Sequence, residues 1–380
     1  MSGVAGAPAG GHGALLCVET SCDDTSAAVV RGTSVHSSIV SSQHELHARF
    51  GGIVPEVASR RHTELLNSVV AEAMERAGAG WDKVQAIAVT VGPGLIGALL
   101  VGLAAAKAFA YRLRLPLVPV NHIEGHIAAN YATELPTGGE RRDAAQPVAP
   151  ERLVPVEPPF VCLVASGGHT LLAVVEEGVC FRVAGRTLDD AAGEAFDKGA
   201  RMVGLGYPGG KELDRLAARG DAGAVRFPKA LPRGPDFSFS GLKTALLYYL
   251  RGQRESDVER HRADIAASYQ AAIVRQLVDK TVRCAEDEGL RRVAVAGGVA
   301  ANSALRAALE RECERRGLVV HLPPLALCTD NAAMIGLAAA YLPALPWPEY
   351  LRLDAYAAAA APRAARRAAG SPACDNPATL

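Results

Sequence analysis

The chain has 380 residues and carries 40 Lys and Arg against 40 Asp and Glu, so its formal net charge is zero. Hydrophobic residues make up 49% and charged residues 21%, a balance that excludes global disorder and indicates a folded protein. Because the net charge is zero, any polyanionic partner must be bound by a local basic patch. The length predicts two lobes of roughly 150 to 200 residues each.

Residues 1–13 are rich in Gly and Ala and contain no Arg or Lys. We interpret them as a flexible leader and not as a secretory or transit peptide. The eight cysteines form no C-x-x-C pair and lie mostly within apolar runs, a pattern typical of a reducing compartment. The longest apolar stretch, residues 94–106, is shorter than the roughly 18 to 20 residues that cross a bilayer. We therefore expect a soluble protein.

The first half of the chain predicts a lobe of strands and helices, residues 14–133. Its predicted elements are a strand at 14–18, a polar turn at 19–25, strands at 27–31 and 35–40, a helix at 60–77, a strand at 84–91, a helix ending near 112 and a strand at 118–120. Residues 134–159 then shift to Pro, Gly, Arg and Glu without periodicity, which indicates a linker or insertion.

The second half, residues 160–345, restarts the same pattern. Its predicted elements are a strand at 160–165, a polar turn at 166–170, strands at 171–175 and 179–183, a helix from 189, a long amphipathic helix at 257–289, a strand at 293–296, a helix at 302–316 ended by Gly317, and a last helix at 329–341. The repeated order predicts a duplicated α/β fold with two similar lobes and a cleft between them. Residues 356–380 are rich in Ala, Pro and Arg, and we expect them to be disordered.

Two histidines, His122 and His126, follow a predicted strand and open a helical pattern. Histidines four residues apart share one face of a helix and can chelate a transition metal through two imidazoles. The same spacing also fits two surface histidines. The motif is not the H-E-x-x-H of metalloproteases, because Glu124 is two residues after the first histidine and points to the opposite side of the helix.

Two glycine-containing segments favour a bound ligand. The turn 166–170 (SGGHT) lies between two strands, where glycines let the backbone approach an anion, although a plain hairpin turn has the same appearance. Residues 297–302 (GGVAAN) follow a strand and lead into a helix, an arrangement that places a helix N-terminus beside a ligand. No G-x-x-x-x-G-K-[ST] motif occurs, which excludes the P-loop class.

Acidic residues mark two more candidate positions. Asp189 and Asp190 fall at a predicted helix start, where they complement the helix dipole, whereas Asp197 lies two turns further along and needs another explanation. Near the last helix, Thr329 is a reasonable N-cap and Asp330 an ordinary first-turn residue. Together with the histidine pair, Asp330 would complete a site of two histidines and one carboxylate, suited to iron or zinc.

Ten segments resemble, in order, the motifs of one family. They are 19–23 (ETSCD), 51–56 (GGIVPE), 92–95 (GPGL), 122–126 (HIEGH), 166–170 (SGGHT), 189–198, 207–210 (YPGG), 236–243, 297–302 (GGVAAN) and 328–333 (CTDNAA). This family is TsaD, the tRNA threonylcarbamoyladenosine transferases, formerly described as O-sialoglycoprotein endopeptidases. The resemblance covers residues 15–341 and implies an actin/Hsp70-like (ASKHA) fold with two lobes and a central cleft.

The resemblance implies transfer of the threonylcarbamoyl group from L-threonylcarbamoyladenylate to the exocyclic 6-amino group of the tRNA adenosine just 3′ of the anticodon, in tRNAs reading codons that begin with adenine. It implies that one divalent metal, Fe²⁺ with Zn²⁺ as the alternative, is held by His122, His126 and Asp330. It implies that the adenylate is bound by Val164, Ala165, Ser166, Gly167, Gly168, Asp197, Gly210 and Asn302. A metal polarises oxygens as a Lewis acid, so no side-chain nucleophile is required.

The resemblance also implies partners. Bacterial members work with TsaB and TsaE, whereas the organellar type works as a homodimer, and neither involves a membrane. Because residues 1–13 have no presequence features, we expect the bacterial, cytoplasmic type.

Two other functions fit the same duplicated fold. A sugar-kinase-like or acetate-kinase-like ATP phosphotransferase would use the glycine turns and acidic residues, but it has no use for the histidine pair. A non-enzymatic actin-like subunit would need a filament or peptide-binding surface, which sequence cannot display.

Overall fold

Two β-sheets form the framework of the protein. A computed structural model describes residues 13–136 and 150–357. The predictions made for residues 1–12, 137–149 and 358–380, which cover most of the leader, the middle of the predicted linker and the tail, lie outside the described residues.

The strands, in chain order, are β1 (Ala14–Glu19), β2 (Asp24–Arg31), β3 (Ser34–Ser42), β4 (Val84–Gly92), β5 (Leu117–Asn121), β6 (Glu134–Leu135), β7 (Glu151–Arg152), β8 (Phe160–Ala165), β9 (Thr170–Glu177), β10 (Cys180–Arg186), β11 (Arg292–Ala296) and β12 (Val319–His321). The helices are α1 (His44–Ala48), α2 (Pro55–Arg76), α3 (Ile96–Leu113), α4 (His122–Ala128), α5 (Ala192–Met202), α6 (Gly210–Ala217), α7 (Ser240–Arg251), α8 (Glu255–Arg260), α9 (Arg262–Asp287), α10 (Ser303–Arg316) and α11 (Ala332–Ala339).

The sheets repeat one topology. The first has the order β5-β4-β1-β2-β3-β6-β7 and the second the order β10-β9-β8-β11-β12. In each, a meander of three antiparallel strands is extended by two parallel strands next to its first strand. This is the duplication that the repeated element order predicts, and it confirms the two-lobed α/β fold.

Apolar residues form three layers of core around the sheets. Helices α2 and α3 cover the outer face of the first sheet, while α5, α6, α7, α9 and α10 cover the outer face of the second. Between the sheets, α4 and α11 pack against each other and against residues of both sheets. The first strand of each sheet is buried along its whole length, as expected for strands covered on both faces.

Helix α11 packs on the first sheet although its sequence follows the second. Gly336 makes this contact possible, because a Cβ there would lie 2.5 Å from Cys17 Sγ and 2.6 Å from Val30 Cγ2. The segment after α11 continues along the first lobe, where Tyr350 is fully buried and the Tyr356 N–H donates to Val91 O. The last described residues therefore pack along the surface of the first lobe.

Helix α3 has 18 residues with a mean hydropathy of 1.5, so by length and composition it is apolar enough to cross a membrane. The sequence alone predicts a shorter apolar stretch here, residues 94–106. Its residues Leu99, Leu103 and Ala106 are buried, and α3 packs against β4 and α2. Helix α3 thus covers the sheet with one face, and 33% of its residues are buried.

Four predicted helix boundaries were wrong. Helix α2 begins at Pro55 and not at residue 60, with the proline in its first turn. Helix α5 begins at Ala192 and not at Asp189, because Asp189 caps another helix. The predicted long helix is divided at His261 into α8, which buries no residue, and α9, which is held by the core. Helix α11 begins at Ala332, because the side chain of Asn331, and not of Thr329, accepts the Met334 N–H.

The cysteines largely match the prediction of buried thiols. Among the described residues, six are free, and all of these except Cys22 are buried. Cys180 is disulfide-bonded, which is an exception to the reduced cysteines expected from sequence.

Candidate active site

The histidine pair lies between the two sheets. Strand β5 runs directly into α4, whose N-terminus is capped by Asn121 Oδ1 accepting the Ile123 N–H at 2.8 Å. His122 is the first residue of α4 and His126 lies one turn later, with ring centroids 4.6 Å apart. Both rings are buried, so the alternative of two surface histidines was wrong.

Asp330, immediately before the N-cap of α11, completes the cluster. Its Oδ1 lies 3.5 Å from His122 Nε2 and 3.3 Å from His126 Nε2. One ligand atom from each of the three residues falls within 4.8 Å of the others. Gly125 permits this approach of α4 to α11, because a Cβ at this position would lie 2.8 Å from Ile335 Cδ1. The three residues predicted to hold a metal are therefore together.

Glu19, at the end of β1, supports His122 from behind. Glu19 Oε2 lies 3.1 Å from His122 Nδ1 and accepts the Thr90 hydroxyl at 2.6 Å. Its other oxygen accepts the Ser21 N–H. A buried carboxylate at Nδ1 holds the proton on that nitrogen and leaves Nε2 directed at Asp330, which is the arrangement common behind metal-bound histidines.

The donor set fits a divalent transition metal. Both ring nitrogens of His126 are buried without a hydrogen-bond partner among the described residues, and the 3.3 Å contact with Asp330 lacks hydrogen-bond geometry. A buried imidazole without a partner is unfavourable unless another group satisfies it. Two imidazoles and one carboxylate with open positions are suited to iron or zinc.

The imidazole of His122 and the carboxylates of Glu19 and Asp330 favour each other's charged forms. Burial disfavours the charged form of His122, but the carboxylates of Asp330 and Glu19 raise its pKa to about 10. Burial likewise opposes ionisation of Asp330, yet His122 holds the pKa of this carboxyl well below its ordinary value. Burial and His122 lower the pKa of His169 to about 4, so this neighbour is neutral at physiological pH.

The glycine turn of the second lobe faces the histidines. Val164 and Ala165 end β8, and Ser166 begins the tight turn to β9, in which Ser166 Oγ accepts the His169 N–H at 3.1 Å. The segment is thus a hairpin turn. A Cβ added at Gly167 or Gly168 would meet nothing within 4 Å. The ring centroid of His169, in the same turn, lies 6.3 Å from that of His122.

Asp197 and Gly210 are in direct contact. Asp197 Oδ1 accepts the N–H groups of Gly209 at 2.8 Å and Gly210 at 3.0 Å, where α6 begins. Its Oδ2 receives no hydrogen bond from any described residue. Asp197 therefore holds the start of α6 through one of its two oxygens.

Asn302 belongs to the same group of helices. Its Oδ1 caps α10 by accepting the Leu305 N–H, and its Nδ2 donates to Gln270 Oε1, each at 2.9 Å. Gln270 in turn donates to Asp214 on α6. The structure links Asn302 to α6 through these bonds, which use one of its two amide hydrogens and one of the two acceptor positions on its oxygen.

The i, i+4, i+7 spacing of Asp190, Glu194 and Asp197 predicts one helix face, but Asp190 lies before α5 and so does not share it. Asp189 Oδ1 accepts the N–H groups of Phe239 and Ser240 and thereby caps α7. Asp190 pairs with Lys243 at 2.9 Å, in the segment 236–243, whose last four residues are the first turn of α7 and whose phenylalanines are fully buried. This segment is held by packing and by these carboxylates.

Sequence reasoning left out two residues near the cluster. Glu19 belongs to the motif 19–23, which predicts no role for its carboxylate. Asp24 was not considered, although its buried Oδ1 has no partner among the described residues, and burial, with Asp330 and Asp23, raises its pKa to about 7. No local sequence signal identifies Glu19, because its place beside His122 follows from the pairing of β1, β4 and β5, which end at one edge of a sheet.

The chain matches the profile of the family "TsaD: tRNA N6-adenosine threonylcarbamoyltransferase" over residues 34–140 and 144–337. It is 52% identical over 328 residues to the tRNA N6-adenosine threonylcarbamoyltransferase of Clostridium perfringens (strain SM101), covering 86% of this chain and 91% of that relative. Identity to the enzyme of the same name from Clostridium botulinum (strain 657) is 50% over the same shares.

Solved structures share the fold at low sequence identity. HypF of T. kodakarensis matches with a TM-score of 0.56 and 14% identity over 88% of this chain and 48% of that chain. Full-length HypF in its phosphate- and nucleotide-bound form matches with a TM-score of 0.54 and 13% identity, over 90% of this chain and 47% of that one. These likenesses bear on the actin/Hsp70-like architecture alone. By its family match and its identity to curated transferases, the chain belongs to the TsaD family of tRNA N6-adenosine threonylcarbamoyltransferases.

Proposed function

We propose that the chain transfers the threonylcarbamoyl group of L-threonylcarbamoyladenylate to the exocyclic amine of the tRNA adenosine just 3′ of the anticodon. A bond forms between N6 and the carbamoyl carbon, the bond from that carbon to the phosphate oxygen breaks, AMP leaves and N6 releases a proton. The observation that carries the proposal is the 6.3 Å between the rings of His122 and His169, because it joins the candidate metal residues to the glycine turn of the second lobe.

His122, His126 and Asp330 would hold one divalent metal, which we propose to be Fe²⁺. When bound, such an ion polarises carbonyl or phosphoryl oxygens as a Lewis acid. The chain's own residues orient the ligands: Glu19 fixes the ring of His122, and the Asn331 cap keeps Asp330 just outside α11. Zn²⁺ is the alternative that analysis of the bound metal distinguishes.

We assign adenylate binding to two groups of residues. Residues 164–168 present an open glycine turn, whose backbone N–H groups suit a phosphate. Asp197 Oδ2 suits a ribose hydroxyl, with Gly210 beside it and Asn302 connected through Gln270. A carboxylate repels phosphate, so the ribose and not the phosphate belongs at Asp197.

The two lobes, which we divide at 14–133 and 160–345, would bind the adenylate between them. Arg201 of α5 donates to Gly51 O, a contact that joins the second lobe to the loop before α2. This contact restrains the position of one lobe relative to the other. A phosphotransferase would leave the buried histidine pair without a role, and neither it nor an actin-like subunit accounts for the identity to curated transferases.

For partners, we propose tRNA, the adenylate, and TsaB-like and TsaE-like proteins in a bacterial cytoplasm. An organellar homodimer is the alternative. Size measurement of the purified chain with and without these proteins distinguishes the two.

The test combines metal analysis with nucleoside mass spectrometry of tRNA from cells in which the variant replaces the native gene. His122→Ala and His126→Ala should each lose bound metal and threonylcarbamoyladenosine while keeping the fold. Arg254→Gln, an exposed substitution immediately before α8, is the control. Full metal content and full modification in the double histidine variant would contradict the proposal.

A further inference from the structure

A groove lined by basic residues lies on the second lobe, apart from the candidate active site. It runs between the segment 227–232 and helix α9, and Lys229, Arg275, Lys280 and Arg283 line it. We call these four residues and the segment the basic groove. The chain has no net charge, so a polyanion can be attracted only where cations are concentrated in this way.

The cations of the basic groove are poorly compensated. The one carboxylate that lines it, Asp279, lies 3.8 Å from Lys229. Arg275 is exposed and has no carboxylate within 4.0 Å in the described part of the chain. Burial and the nearby charge of Arg283 hold the pKa of Lys280 below its ordinary value. By contrast, the exposed Arg254, just before α8, and Arg260, its last residue, share a carboxylate, Asp257.

Hydrogen bonds from α9 to backbone oxygens of the facing segment hold the wall of the groove in place. Lys280 Nζ donates to Leu231 O and to Gly234 O at 2.8 Å each, and Arg283 donates to Pro232 O at 3.3 Å. Leu231 adopts a φ of +40°, a backbone conformation that is unfavourable for a leucine and is held by these bonds. A pre-organised wall loses little conformational entropy when it binds a ligand.

Hydrogen bonds connect the groove to the residues around the candidate active site. Gln276, which lines the groove, accepts the Ser238 N–H at 2.9 Å and donates to Ser238 O at 3.0 Å. The Ser238 hydroxyl donates to Asp189, and Thr187 N–H donates to Thr170 O, next to the glycine turn. The groove is thus joined to the cleft by a short chain of contacts.

We propose that the basic groove binds the phosphate backbone of the tRNA substrate while the target adenosine is in the cleft. The inference rests on the proposed function, because it takes tRNA as the substrate. Each guanidinium or ammonium at the groove replaces counterions on a phosphate, so binding must weaken steeply with salt. Lys229, Arg275 and Arg283 are exposed, but Arg283 donates to Pro232 O. We therefore assign the phosphate contact to Arg275 and to Lys229, whose contact with Asp279 is a long one of 3.8 Å.

The test measures the Kd of the full chain for an unmodified tRNA transcript that reads a codon beginning with adenine, between 0.05 and 0.3 M KCl. The variant K229Q/R275Q should bind at least about tenfold more weakly at 0.1 M salt, and its log–log salt slope should fall by about 2. The control R254Q/R260Q removes the same formal charge from exposed positions and should match the parent. Thermal unfolding establishes that both variants are folded.

Binding of the donor adenylate, measured by calorimetry, should be equal in the parent and in both variants. A Kd and salt slope for K229Q/R275Q equal to those of the control would overturn the groove assignment, and so would weaker binding with an unchanged slope. If the parent itself neither binds tRNA nor restores threonylcarbamoyladenosine in cells lacking the native gene, the proposed function fails instead. The two failures are therefore distinguishable.

Discussion

Glu19→Gln tests how the chain prepares its candidate metal site. The substitution keeps the size and shape of the side chain and removes the negative charge behind His122. In the native protein the carboxylate faces three groups with a hydrogen to donate: the Thr90 hydroxyl and His122 Nδ1 at one oxygen, and the Ser21 N–H at the other.

A glutamine side chain cannot accept from all three. It offers one oxygen and one NH₂ group. Either the Ser21 N–H, or the Thr90 hydroxyl together with His122 Nδ1, must therefore face the NH₂ group, which is itself a donor. A buried donor left without an acceptor costs about 1 to 3 kcal/mol of folding free energy. Loss of a carboxylate behind a metal-bound histidine typically weakens metal binding by about 10- to 100-fold.

The assay is competition with a chelator for Fe²⁺ or Zn²⁺, together with urea unfolding of the metal-free protein. Glu194→Gln is the matched control, because Glu194 is a half-exposed carboxylate on α5 paired with Lys198. We expect the control to bind metal as the parent does. If Glu19→Gln retains parental metal affinity and parental stability, the carboxylate does not position His122, and the reasoning is refuted.

Three further predictions concern the metal ligand Asp330, the adenylate residues and the packing of α11. Asp330→Asn should leave α11 intact, since Asn331 is its cap, but should lower metal affinity in chelator competition; unchanged affinity would exclude Asp330 as a ligand. Asp197→Ala and Asn302→Ala should each weaken adenylate binding by about 1 to 3 kcal/mol in calorimetry without changing metal content, and parental binding in both would refute the nucleotide assignment. Gly336→Ala should destabilise the fold by about 1 to 3 kcal/mol through its clash with Cys17 and Val30, whereas Gly241→Ala, where a Cβ meets open space, should cost nothing in the same urea titration; equal stabilities would contradict the packing argument.

The sequence determined the features that depend on local geometry. Apolar runs and turn residues predict the strands of both lobes, because burial on two faces requires continuous apolar sequence. The repeated order of elements predicts the duplication, which the matching orders of the two sheets confirm. The spacing of His122 and His126 places them on one face of a helix, because that relation depends only on helical pitch.

Helix starts were less predictable, because several polar residues compete for each N-terminus. Thr329, Asp330 and Asn331 all have side chains that can cap a helix. Asn331 is the cap in the position where α11 packs on the first sheet. In that position the first residue of α11, Ala332, donates its N–H to Ser26 of β2. Asp189 was assigned to the wrong helix for a similar reason, because its carboxylate caps α7, far along the chain.

Only the tertiary structure decided which distant residues meet. Asp330 reaches the histidines because α11 packs against α4 between the two sheets, and this contact depends on Gly125 and on the core around it. Glu19 lies behind His122 because β1 and β5 end at the same edge of one sheet. Sequence patterns report the residues near each position, whereas a site assembled from several strands and helices depends on how the cores of both lobes pack together.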